Sequence, residues 1–162
     1  MVPLDVLKGL RFLQDIPDAY LQELAALAEV KDLPVQTVVF REGQTSASIF
    51  LVVQGSIAVE VSIPGRGSTP VLTVGAGELL GWSPVLGSGV MTGTARVVTP
   101  ARVVVMNAAQ LRAACEHNPR LGMEFLRRTA QALAVRLNAT RLQLLDVYRA
   151  ELRFVPPEGG RP

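Results

Sequence analysis

Ile49-Phe50-Leu51-Val52-Val53-Gln54-Gly55-Ser56-Ile57-Ala58-Val59-Glu60-Val61-Ser62-Ile63 is the stretch that decides the fold of this chain. Ile49 to Val53 is a short apolar run rich in β-branched side chains, a strand candidate. From Ser56 the texture changes: Ile57, Val59, Val61 and Ile63 alternate with Ser56, Ala58, Glu60 and Ser62. That period of two buries one face of a strand and wets the other. Gln54-Gly55, between the two runs, reads as a turn. Further turn signals stand at Glu42-Gly43, Pro64-Gly65-Arg66-Gly67 and Gly75-Ala76-Gly77, a spacing of about 10–12 residues that suits short antiparallel strands. Val38-Val39-Phe40 and Val103-Val104-Val105-Met106 complete the strand candidates.

Helical texture flanks this β region on both sides. Pro17 and Asp18 suit a helix start, and Leu21, Leu24, Ala25 and Ala28 follow at helical spacing. Asn107 is placed to cap a second helix, which Asn118-Pro119 should end, because a residue before proline avoids helical geometry. In the long helix beyond, Met123, Leu126, Ala130, Leu133, Leu137, Thr140, Leu144 and Val147 alternate steps of three and four, the pattern of a coiled-coil seam. Nothing else in the chain covers that stripe, so the spacing predicts a parallel homodimer; the alternative is a helix folded wholly onto the barrel. The fold expected is mainly β with flanking helices: an antiparallel β-roll (jelly-roll) barrel over about 30–107, N-terminal helices, and C-terminal helices over about 108–150 that include a long dimerisation helix. Residues 1–150 form one domain in this reading, and the proline- and glycine-rich residues 151–162 a flexible tail.

Composition narrows the class. The 162 residues are 49% hydrophobic and 19% charged, as in ordinary globular domains. No basic-then-apolar leader opens the chain, and no window approaches the roughly 18 apolar residues of a membrane span. The single cysteine, Cys115, forms no intrachain disulfide, which fits a cytoplasmic protein without a membrane partner. Residues 119–162 carry eight arginines against four acids, although the whole chain stands at only +2. The basic helix is either the solvated flank of the seam or a surface for an acidic partner or nucleic acid.

Phe12-Leu13-x-x-Ile16-Pro17-x-x-x-Leu21-x-x-Leu24-Ala25, then Val39-Phe40-Arg41-Glu42-Gly43-Gln44, then Ile49 to Ser56, and finally Leu111 to Leu137 come in a specific order. In that order they resemble the cyclic-nucleotide-binding domains of catabolite-activator-type regulators, kinase regulatory subunits and gated channels. The resemblance covers residues 12–148. It implies a phosphate-binding cassette at Gly77-Glu78-Leu79-Leu80-Gly81-Trp82-Ser83 and Met91-Thr92-Gly93-Thr94-Ala95-Arg96. In such a cassette the amides of a short helix meet a cyclic phosphate, a Glu takes the ribose hydroxyl, and an Arg about ten residues later pairs with the phosphate. Gly77-Glu78 can be aligned with the family's acid, or with its Gly-Asp-x-x-Gly lead-in. The second alignment is preferred, because it needs no longer cassette and brings Thr92 onto the family's Ser/Thr. It puts Trp82 at the Glu position and Met91 at the Arg position.

Both charged contacts are then missing. Each charge-assisted hydrogen bond contributes about 1.5–3 kcal/mol, so the pair of losses implies roughly 10²–10⁴-fold weaker nucleotide binding. Candidate pocket residues are Leu80, Gly81, Trp82, Ser83, Met91, Thr92, Gly93, Thr140 and Arg141. Thr140 falls on the long-helix threonine that contacts the purine in transcriptional members of the family, and Arg141 beside it is a replacement anion contact or a solvated side chain. Trp82 either stacks on a base or plugs the emptied site, and the plug is the favoured reading. Arg96 lies an odd number of residues from Met91, so alternation points it to the other face.

No catalytic constellation is visible. Gly75-x-Gly77-x-x-x-Gly81 misses the dinucleotide fingerprint by one residue. His117 is the only histidine, too few for a metal-dependent oxygenase, and two residues from Cys115 it faces elsewhere on a helix. The function expected is a stand-alone dimeric sensor or adaptor domain, not an enzyme, with altered or lost cyclic nucleotide specificity and an unknown protein partner. The alternatives are a sensor of cyclic AMP or cyclic GMP with substituted contacts, and a regulator that meets DNA through its basic helix or a partner. Only fourteen residues follow Tyr148 here, against roughly seventy for the helix-turn-helix domain of transcriptional members.

Overall fold

In a computed structural model, which describes residues 1–152 and side chains as far as Arg149, the apolar run and the alternating run belong to one strand. It is β3 (Ser48–Ile63), 16 residues long, where the sequence suggested two strands and a turn. Gln54-Gly55 is a bulge. The pairing of β3 with β6 (Thr94–Asn107) shifts register three times between Val52 and Ile57, so the strand bends without losing its partner. Gly55 makes this possible. Its φ of +85° is left-handed, and a Cβ there would stand 2.3 Å from the carbonyl oxygen of Pro100.

The sheet is antiparallel throughout the pairs described. β1 (Ala28–Leu33), β6, β3 and β4 (Gly67–Val74) lie in that spatial order, with β2 (Val38–Phe40) on β6 and β5 (Leu79–Leu80) on β3. Such pairing is the rolled sheet that the sequence reading expects.

Strand side chains feed two cores. Phe50, Val52, Ile57, Val74, Leu80, Ala95, Val97, Val103 and Val105 fill the inside of the roll. Ile49, Leu51, Val104 and Met106, from the opposite faces of the same strands, pack under the helices. Ile49–Val52 and Val103–Met106 are therefore buried on both faces, which is why they read as continuous apolar runs.

The helical layer consists of α1 (Leu4–Lys8), a 3-10 turn (Arg11–Leu13), α2 (Asp18–Leu27), α4 (Ala108–His117) and α5 (Pro119–Leu152), with α3 (Ser83–Leu86) inserted in the roll. Pro17 stands just before α2 as its N-cap. The Asn107 side chain accepts hydrogen bonds from the amides of Ala109 (2.9 Å) and Gln110 (3.1 Å), satisfying donors that have no partner within α4. Pro119 opens α5, where its missing N–H costs nothing. The first turns of α5 are fixed by Leu121, Phe125 and Thr129, all buried, with the Phe125 ring edge-on to Phe12 at 5.4 Å.

Past Arg136 the helix leaves this support. Leu137, Leu142, Leu144, Leu145, Val147 and Tyr148 are each more than half exposed, so α5 is not folded wholly onto the roll. Of the stretch expected as a tail, Glu151 and Leu152 continue α5, and residues 153–162 lie outside the described residues. Among the described residues no helix is long and apolar enough to cross a membrane.

Candidate functional site

The site is built where the roll meets α5. Pairing of Leu79-Leu80 with Leu51 and Phe50 carries the chain to Gly81, whose φ of +76° turns it sharply beneath the Phe40 and Phe50 rings. Trp82 then stands at the N-terminal boundary of the one-turn helix α3, without a side-chain capping bond, and the first turn holds Pro84. The returning segment is sewn down by backbone bonds between Met91 and Gln44 (2.9 Å) and between Gly43 and Met91 (2.8 Å). Met91 is 3% exposed. A Cβ at Gly93 would come within 2.8 Å of Val59 Cγ1, so this position keeps the segment close against β3.

Between these segments and α5 lies a cavity of about 720 Å³, within the range of small-molecule sites. Leu80, Gly81, Trp82, Ser83, Met91, Thr92, Gly93 and Thr140 all lie on its wall. Arg141 does not; it is exposed beside the cavity helix face. Thr140 hydrogen-bonds within the helix to the Arg136 carbonyl at 2.9 Å. Trp82 is half-buried and leaves the cavity open, so it lines the site instead of plugging it.

Glu78 is turned away. Its Oε2 accepts a 2.7 Å bond from the Gly75 amide, its Oε1 lies 3.8 Å from Arg11, and it walls a separate cavity of about 320 Å³. Arg96 lies 3.4 Å from Glu60 and faces away from the large cavity, as alternation predicts.

Arg136 is the feature that sequence reading missed. It is the one charged side chain on the wall of the large cavity among the described residues, and it also walls the smaller one. Its Nη2 donates to the Leu79 carbonyl oxygen, tying α5 to the strand that leads into the cassette. Burial pulls the guanidinium below its ordinary pKa, and nearby Glu78 opposes that shift. The available signal was its spacing: Leu133, Arg136 and Thr140 repeat by three and four along one helix face.

Elsewhere, burial raises the pKa of the Cys115 thiol, with Glu23 and Glu116 adding to the effect. His117 is exposed. Among the described residues no group of three or more histidines, cysteines and acids is placed to hold a metal.

Residues 30–118, more than half of the chain, match the cyclic nucleotide-binding domain family. The chain belongs to that family. It is 22% identical to a CRP-like cAMP-activated global transcriptional regulator of Mycobacterium tuberculosis, over 96% of this chain and 74% of that protein. Among solved structures, a protein from Geobacter metallireducens GS-15 described as cyclic nucleotide-binding superposes with a TM-score of 0.75 at 29% identity, covering 85% of this chain and 99% of that one. A cyclic nucleotide-binding domain from Methylobacillus flagellatus gives 0.76 at 22% identity, covering 88% and 80%. The catabolite activator protein of Thermus thermophilus gives 0.69 at 18% identity, covering 85% and 63%. The last two likenesses concern the fold. The family is a regulatory one, not an enzyme family.

Proposed function

We propose that this chain is a dimeric regulatory domain whose cavity has lost the cyclic nucleotide specificity of its family. One observation carries the reading. Where the resemblance puts an acid and an arginine, the cavity wall has Trp82 and buried Met91, and Glu78 faces another cavity. A ribose hydroxyl and a cyclic phosphate would lose those two charged partners there, and Arg136 would be the one charged side chain left on the wall among the described residues.

The cavity is still connected to an output. Its wall is shared between the roll and α5, and Arg136 joins the two through the Leu79 carbonyl. A ligand that binds one arrangement of α5 better than another shifts the helix by that difference in affinity. The stripe Met123, Leu126, Leu137, Leu144 and Val147 is 47–68% exposed in the single chain, which supports a second copy as its cover.

A second reading, a cyclic AMP or cyclic GMP sensor with substituted contacts, draws support from Arg136, Thr92 and Thr140 on the same wall. Sedimentation at micromolar protein, with and without cyclic nucleotide, separates the two. The proposal predicts a dimer that takes up neither cyclic AMP nor cyclic GMP; saturable uptake at micromolar nucleotide favours the second reading. A monomer at every concentration overturns the dimer.

A further inference from the structure

The large cavity has an unusual balance of chemistry. Val59, Leu72, Leu80, Trp82 and Met91 give it an apolar floor on the roll side, and Leu133, Leu137, Leu144 and Val147 an apolar wall on α5. Hydrogen bonding falls to the side chains of Ser83, Thr92, Thr140 and Gln143. Against this stands one charge, Arg136, and no acidic side chain lines the same cavity among the described residues. The guanidinium is half-buried, and the one hydrogen bond it makes among the described residues goes from Nη2 to a neutral carbonyl. Glu78, the acid that acts on it, belongs to the neighbouring cavity.

A partly desolvated cation at the edge of an apolar room is satisfied by one anionic head on an apolar body. A cyclic nucleotide is a poor match, because its ribose and base carry many polar atoms that these walls would leave without partners. A carboxylate also suits the planar guanidinium, which can present two parallel N–H donors to it.

We infer that the cavity binds an apolar monocarboxylate, its hydrocarbon body against Leu72, Leu80, Trp82 and Met91 and its carboxylate on Arg136. This rests on the reading that the site no longer takes a cyclic nucleotide, and it names what the site takes instead. The carboxylate would share Arg136 with the Leu79 carbonyl, so binding acts on the residue that ties α5 to the cassette.

The test is a titration of the purified protein with decanoate, 1-decanol and cyclic AMP, followed through the fluorescence of Trp82, the only tryptophan. Decanoate is expected to saturate and to bind roughly 10–100-fold more tightly than decanol, the range of one charge-assisted contact. Arg136→Gln is expected to bring decanoate down to the affinity of decanol and leave decanol unchanged, while Arg136→Lys keeps much of the preference. If Arg136→Gln does not fold, the decanoate–decanol comparison in the natural chain decides alone. Equal affinities for decanoate and decanol, no saturation with either, or a folded Arg136→Gln variant that keeps the decanoate preference each overturns the inference. The cyclic AMP arm keeps the two readings apart. Saturation there at micromolar ligand sinks the loss of nucleotide specificity, whereas silence in all three arms sinks the carboxylate alone.

Discussion

Gly55 bends the 16-residue strand β3 through a left-handed φ of +85° that a side chain would strain. Gln54-Gly55 was legible as a place where the chain changes direction, because glycine after a polar residue is turn chemistry. That it bends one strand instead of joining two was not legible, since the cause is the Pro100 carbonyl, 45 residues away in sequence and 2.3 Å from where a Cβ would be. Gly55→Ala is therefore expected to destabilise the fold by about 2–4 kcal/mol, through the left-handed φ and the backbone clash together. Urea unfolding followed by circular dichroism measures it, and a change under about 0.5 kcal/mol would contradict the bulge. Cys115 gives a second prediction at this scale. Because burial and two acids raise its pKa, less of it is thiolate at any given pH than for an unhindered thiol. Its reaction with a disulfide reagent at pH 7.5 should be slower than that of glutathione; an equal or faster rate would contradict this environment.

At the scale of elements, the strands and the long helix were legible because each carries its own period. Ile57 to Ile63 alternates by two, and Met123 to Val147 steps by three and four. The Asn107 cap and the break at Asn118-Pro119 were also local, and so readable. What the helix touches was not. Phe125, left out of the seam, meets Phe12, and Arg136 reaches the Leu79 carbonyl; both contacts are set by the docking of α5 on the roll. The two faces of α5 should respond differently to change. Phe125→Ala should cost about 3–5 kcal/mol of stability, because it empties a fully buried site. Leu137→Glu with Leu144→Glu should convert the proposed dimer to monomer with little loss of monomer stability, since both side chains are more than half exposed. Sedimentation velocity and thermal melting on the two variants distinguish the outcomes. A dimer that survives both glutamates would contradict the seam.

For the whole molecule, the fold was readable from the sequence, and so was the segment against which the cavity opens. The order of the segments led to the β-roll and to a cassette at residues 77–96, and the cavity opens against that cassette. Trp82 and Met91 were legible at the two cassette positions where the resemblance implies an acid and an arginine. Arg136 was not legible as a cavity residue, because it reaches the cavity from a different element, 45 residues beyond Met91 in sequence. In the proposed function Trp82 and Met91, and not a loss of the fold, remove cyclic nucleotide specificity. This is tested most directly by calorimetric titration of cyclic AMP into the natural chain and into the Trp82→Glu, Met91→Arg variant, with melting curves confirming that both are folded. No saturable heat is expected in the natural chain below about millimolar ligand, and a gain of at least roughly 100-fold is expected in the variant. Micromolar binding by the natural chain would contradict it, and so would a folded variant that binds no better than its parent.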